Sequence, residues 1–158
     1  MLTNPSELRR SRRGGEIACL LPLIALLGAC GVGERVAQCN QLAHSLNASL
    51  QPARAYIAAH PGVTSQQASP EQYQELAALY TALASSLEAA QLDDAKLSQL
   101  KADFSLLFEQ TAAACADLST ARKDSDSTAK ARAERELSRL ARREDSLHAR
   151  THGYCTSR

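Results

Sequence analysis

Apolar residues recur along this chain in alternating steps of three and four, through four successive segments. That spacing lays a stripe along one face of a helix, and an isolated helix cannot bury such a stripe. The first stripe comprises Val32, Val36, Cys39, Ala43, Leu46, Leu50, Ala53 and Ile57. The second runs Tyr73, Leu76, Tyr80, Leu83, Leu87 and Ala90. The third has the cleanest period: Leu97, Leu100, Phe104, Leu107, Thr111, Ala114, Leu118 and Ala121. A thinner fourth stripe carries Ala133, Leu137, Leu140 and Leu147. No stretch shows the strict alternation of a strand. The expected fold class is therefore all-α, an antiparallel up-down helical bundle of about four helices.

Local signals set the boundaries. Pro52 predicts a kink or short break near Leu50-Gln51, because its ring clashes with the preceding turn. His60-Pro61-Gly62 stops the first helix, leaving Val63 to Ser69 as a loop. Ser69-Pro70-Glu71-Gln72 reads as a helix start: a Ser cap, Pro at the first position, and Gln three residues on. An Asp after Leu92 caps the third helix. Between the third and fourth segments, Asp124-Ser125-Asp126-Ser127 can cap and turn, although no Gly or Pro is present. Without that turn the two would merge into one helix from Asp94 to His148, roughly 80 Å long, in an elongated coiled coil. The capping residues favour the bundle, placed over residues 36–148 with a linker at 30–35 before it and a tail at 149–158 after it. Gly153 is expected to end the last helix.

The first thirty residues have another character. Arg9, Arg10, Arg12 and Arg13 precede an apolar run from Ile17 to Leu27, closed by Gly28-Ala29-Cys30. A charged start, a short apolar run and small residues at its end describe an export signal over residues 1–29. Eleven residues rise only about 16 Å as a helix, half of a bilayer's hydrocarbon core. Leu27-Gly28-Ala29-Cys30 resembles the lipobox of bacterial lipoproteins. That resemblance implies diacylglycerol on the Cys30 thiol, cleavage just before Cys30, and palmitate-like acyl chains holding the protein to a bilayer. Gly31 stands where Asp commonly directs inner-membrane retention in such proteins, so the resemblance implies an outer-membrane location, facing the periplasm or the cell surface. Cys19 lacks the pattern, and Ser11-Arg12-Arg13 only partly matches a twin-arginine signal, because Gly15 and Glu16 follow.

Lipidation and cleavage would leave Cys39, Cys115 and Cys155, in a compartment where cysteines pair. In an up-down bundle Cys39 lies near the start of the first helix and Cys155 just past the end of the fourth. Cys115 lies at the opposite pole. Bridged Cα atoms must come within about 7 Å, so Cys39–Cys155 is the pair the topology favours. Cys115 reads as a small buried hydrophobe.

Charge supplies the remaining candidates. Arg132, Arg135, Arg139 and Arg142 recur in steps of three, four and three, with Lys130 and Arg143 beside them. This cationic helix face could grip phosphates of an anionic envelope polymer or an acidic protein partner. It could also be a solvated face tied by pairs such as Arg132–Glu136 or Glu136–Arg139, or dock on the acidic first half of this chain. Residues 30–117 carry four basic and nine acidic residues, residues 118–158 ten and six. His148 and His152 share a helix face with Cys155 three residues on, a speculative transition-metal site. A disulfide at Cys155 would exclude it. Periplasmic helical metal sensors and stress chaperones offer a comparison, but their repeated Leu-Thr-x-x-Gln motif is missing.

Composition narrows the classes. Hydrophobic residues make up 44% of the 158, enough for a core, while aromatics are 4% with no Trp. A net charge of +1 leaves no basis for nucleic-acid steering. There is no Gly-rich phosphate loop, His-Glu-x-x-His or Gly-x-Ser-x-Gly. His44 and His60 have no recognisable acid or nucleophile partner. Neither enzymatic activity nor a cofactor is expected. The expectation is a membrane-anchored envelope lipoprotein with a structural or interaction role, and the alternative is a periplasmic metal- or ligand-binding helical sensor.

Overall fold

The computed structural model describes residues 27–63 and 68–157. Four α-helices make up the fold: α1 (Leu27–Ala59), α2 (Pro70–Glu88), α3 (Ala95–Lys123) and α4 (Ser127–Thr156). There is no strand among the described residues. Residues 1–26, most of the expected export signal, lie outside them.

Three starts are built as their sequences require. The Ser69 hydroxyl accepts from the Gln72 amide, and the Gln72 side chain accepts from the Ser69 amide at 2.8 Å, a reciprocal capping box ahead of Pro70. Asp94 Oδ1 accepts from the amides of Lys96 and Leu97 at 2.8 and 2.9 Å. Asp126 does the same for Thr128 and Ala129 at the head of α4. The chain turns between α3 and α4 on Ser125, whose φ of 56° is left-handed. The Asp126 amide donates back to the Ala121 carbonyl and the Ser125 amide to Arg122, closing the end of α3. The turn therefore exists, and the merged helix does not form.

Antiparallel pairing follows from the cross-links. Between α2 and α3, Ser105 donates to the Ala84 carbonyl and Ser119 to the Pro70 carbonyl. Lys101 donates to the carbonyls of Glu88 and Ala90, satisfying the end of α2 where no glycine closes it. Between α3 and α4, Arg150 pairs with Asp103 and Arg143 donates to Gln110. Helix α3 packs most extensively, on α2 and α4, while α1 packs most on α2 and approaches α3 and α4 less closely.

Two core clusters divide the length of the bundle. One, at the end bearing the start of α3, is rich in Leu and Phe: Leu42, Leu87, Leu97, Leu100, Phe104, Phe108 and Leu147 belong to it. The other, near the α3–α4 turn, is built of smaller groups around Tyr73, Leu76, Cys115, Leu118 and Ala133. Val63, expected in a loop, is 1% exposed and seals this second cluster.

Several local expectations are corrected. Pro52 lies inside an unbroken α1. It is exposed, as is Ala48, whose carbonyl loses its helical donor, so water can take that place. On α1, Val36 is 45% exposed and Ala43 is exposed, whereas Leu42 is wholly buried. The buried face of α1 is turned toward α2 and α3, so Leu42 takes the core position. The stretch at 30–35, expected as a linker, is helical, and so is most of the expected tail. Gly153 does not end α4, because Tyr154 and Cys155 are both held by neighbours described below.

Candidate functional site

Two parts of the surface carry the candidate residues: the pole where α1 meets the end of α4, and the outer face of α4.

At the pole, Cys39 and Cys155 form a disulfide with a Cα–Cα distance of 5.9 Å, as the up-down topology requires. Around it, charged and polar groups from three helices converge. The Tyr154 hydroxyl donates to Asp94 Oδ2 at 2.7 Å, and the Asp94 amide donates to the buried Gln38 side chain at 2.6 Å. Arg35 donates to the Ser157 carbonyl and lies over the Tyr154 ring, 5.6 Å from its centre. The Tyr154 hydrogen bond and the Leu97 amide hold the Asp94 carboxyl below the usual carboxylate range. The same bond pushes the Tyr154 phenol up. These groups bond to one another, apart from the buried Nε of Arg35, which has no hydrogen-bond partner among the described residues, and the arrangement is structural. At the opposite pole Cys115 is a free, buried thiol pushed up to about 11 by burial.

His148 and His152 lie on the exposed side of α4 beside the disulfide. The His148 ring packs 5.2 Å from Phe104, and its Nε2 stands 3.7 Å from Glu144. That carboxylate lies four residues before His148 on the same helix face, a spacing already present in the sequence. The Cys155 sulfur that would have completed a metal set is bonded to Cys39. Among the described residues no three of His, Cys, Asp or Glu gather as metal ligands.

Arg132, Arg135, Arg139 and Arg142 are all exposed and line one open groove of about 480 Å³ on α4, with Asp117 of α3 at its edge. Arg139 makes a two-pronged pair with Glu136, which lowers the Glu136 carboxyl and raises the guanidinium. Lys130 pairs with Glu134 at 3.8 Å. Of the two pairs expected from spacing, Glu136–Arg139 is made. Among the described residues the ion pair from α4 back to the acidic first half is made by Arg150 with Asp103 and not by these four arginines. The structure thus brings the four predicted arginines together and leaves them facing solvent. His44 is exposed on α1 and His60 is exposed just past its end, where its ring packs against Tyr56 with ring centres 4.3 Å apart.

Sequence reasoning missed the groove between α1 and α4, about 360 Å³, with an apolar floor and basic groups at its margin. No period marks it, because it arises where two helices stand apart. No helix among the described residues is long and apolar enough to cross a membrane. Compared with protein-family models, with curated proteins and with solved structures, the chain matches none.

Proposed function

We propose that this protein is an exported helical bundle, lipid-anchored through Cys30 to the cell envelope, whose role is to hold an anionic partner against the membrane. The observation that carries the binding half is the open arginine groove on α4. Several guanidinium groups on one rigid face can engage phosphates or carboxylates together, each contributing about 1 kcal/mol near a charged surface. The lipobox Leu27-Gly28-Ala29-Cys30 supports the anchor, and the Cys39–Cys155 disulfide supports an oxidising compartment. Cys30 and Cys39 are nine residues apart on α1, about 14 Å along a helix, so the anchor would hold the disulfide pole toward the bilayer. The partner is an anionic envelope polymer or an acidic protein, with no nucleic acid, cofactor or catalytic step proposed.

Two measurements test the two halves. Cys30→Ser, expressed with its signal, should leave the membrane fraction and lose incorporated palmitate while keeping its helical content. Retention with membranes at the wild-type level would remove the anchor. Arg135→Gln with Arg139→Gln should lower binding to isolated envelope material at low salt with the melting temperature unchanged. Equal binding by wild type and double variant would remove the role of the arginine face.

A further inference from the structure

The groove between α1 and α4 is separate from the arginine face and takes no part in the proposed role. Its floor is apolar: Ala43, Leu46 and Leu50 from α1, with the Cys39–Cys155 disulfide closing one end. Its margin is basic, with Arg54 on α1 and His148 and His152 on α4, and none of the residues lining it is acidic. At about 360 Å³ it lies within the roughly 300–1,000 Å³ range of small-molecule sites.

Three features of the fold create this space. Helices α1 and α4 are joined by a disulfide yet make few close approaches elsewhere, so they are pinned at one pole without zipping together. Ala43 presents only a methyl group toward the gap, although a larger residue there would fill it. Arg54 is exposed and, among the described residues, donates only to Asn47 Oδ1 at 3.4 Å, a long contact that lets its guanidinium turn toward a ligand. An elongated apolar floor with a cation at its margin matches a molecule that is apolar along its length and anionic at one end.

We propose that the α1–α4 groove binds a single-chain amphiphile with an anionic head, a long-chain fatty acid. Its hydrocarbon chain lies over Leu46 and Leu50, and its carboxylate meets Arg54, with His148 and His152 as further donors. The histidine pair and Arg54 select for the anion, while Ala43 leaves room for the chain.

The test uses the purified full chain reconstituted in neutral phosphatidylcholine vesicles and a palmitate analogue bearing a photoreactive diazirine on its chain. Irradiation should label the peptides containing Leu46–Leu50 and Thr151–Cys155. Palmitate should compete and methyl palmitate should compete at least about tenfold less well, since the ester carries no charge for Arg54. Ala43→Trp fills the groove from an exposed position and should suppress labelling with helical content and the disulfide retained. Arg54→Gln, at an exposed position, should weaken competition by palmitate about tenfold and leave methyl palmitate unchanged. Labelling scattered over all four helices, labelling indifferent to Ala43→Trp, or equal competition by acid and ester would each overturn the assignment.

Discussion

Tyr154 donates its phenolic hydrogen to Oδ2 of Asp94 at 2.7 Å, while Oδ1 of the same carboxylate caps α3 by accepting two backbone amides. One side chain thus starts a helix and fastens the end of another, 60 residues away in sequence. Beside it the Cys39–Cys155 bond ties the same end of α4 to α1. The disulfide pole is where three helices are joined by specific chemistry in addition to apolar contact.

The first expectation concerns acid. Because Asp94 is held below the usual carboxylate range, its contribution is fully present above about pH 4, the ordinary range of an unfolded Asp. It is lost as pH falls through the depressed folded value. Tyr154→Phe removes the first cause of that depression, so the variant should melt lower at neutral pH and lose less stability on acidification. Asp94→Ala should cost more, about 1–2 kcal/mol from the lost cap. Melting temperatures of the three proteins between pH 7 and pH 2 decide the matter. Parallel acid profiles for wild type and Tyr154→Phe would contradict it.

Breaking the disulfide should release α1. The bridge closes 116 residues of chain, for which the chain-entropy model gives up to about 4–5 kcal/mol. Helix α1 packs less extensively than α3, so it depends most on the bridge. Urea unfolding of Cys39→Ser with Cys155→Ser should show a loss of several kcal/mol. Hydrogen exchange should show faster exchange in α1 than in α2 or α3. Uniform loosening of all four helices would argue that α1 is held by packing instead.

Cys115 should be inert while the protein is folded. Its thiol is 3% exposed and pushed up to about 11, so almost no thiolate exists at pH 8. A thiol reagent should modify it only in denaturant, with native reactivity at least a hundredfold slower. Rapid labelling of the native protein would mean that the second core cluster opens.

Ser125→Gly should stabilise the fold. Ser125 holds φ at 56°, which costs a residue with a Cβ but not glycine. A gain of about 0.5–1 kcal/mol by thermal or urea unfolding is expected. The turn backbone and α4 cap should be unchanged. A loss of stability would mean that the serine side chain supports the turn more than its backbone strain costs.

Much of the fold was legible because helix periodicity and capping are local. The starts at Ser69, Asp94 and Asp126 depend on a side-chain oxygen reaching an amide two or three residues on, and those residues are neighbours in sequence. The stripes of α2 and α3 are buried essentially as the spacing draws them, from Tyr73 to Leu87 and from Leu97 to Ala121. The Cys39–Cys155 pair was also accessible, since helix count and direction place those two at one pole. The four arginines share a face for the same reason: spacing along one helix settles it.

What only the tertiary structure decided is how each helix is rotated and where neighbours stand apart. Leu42 replaced Val36 and Ala43 in the core of α1 because its inward face is set by α2 and α3, and several faces of α1 carry apolar residues. Gly153 remained helical because Asp94 and Cys39, distant in sequence, hold Tyr154 and Cys155. Lys101 closing the end of α2 and the α1–α4 groove are likewise relations between segments. Periodicity determines that a helix has an apolar side; packing between helices determines which residues on that side meet a neighbour and which line a gap.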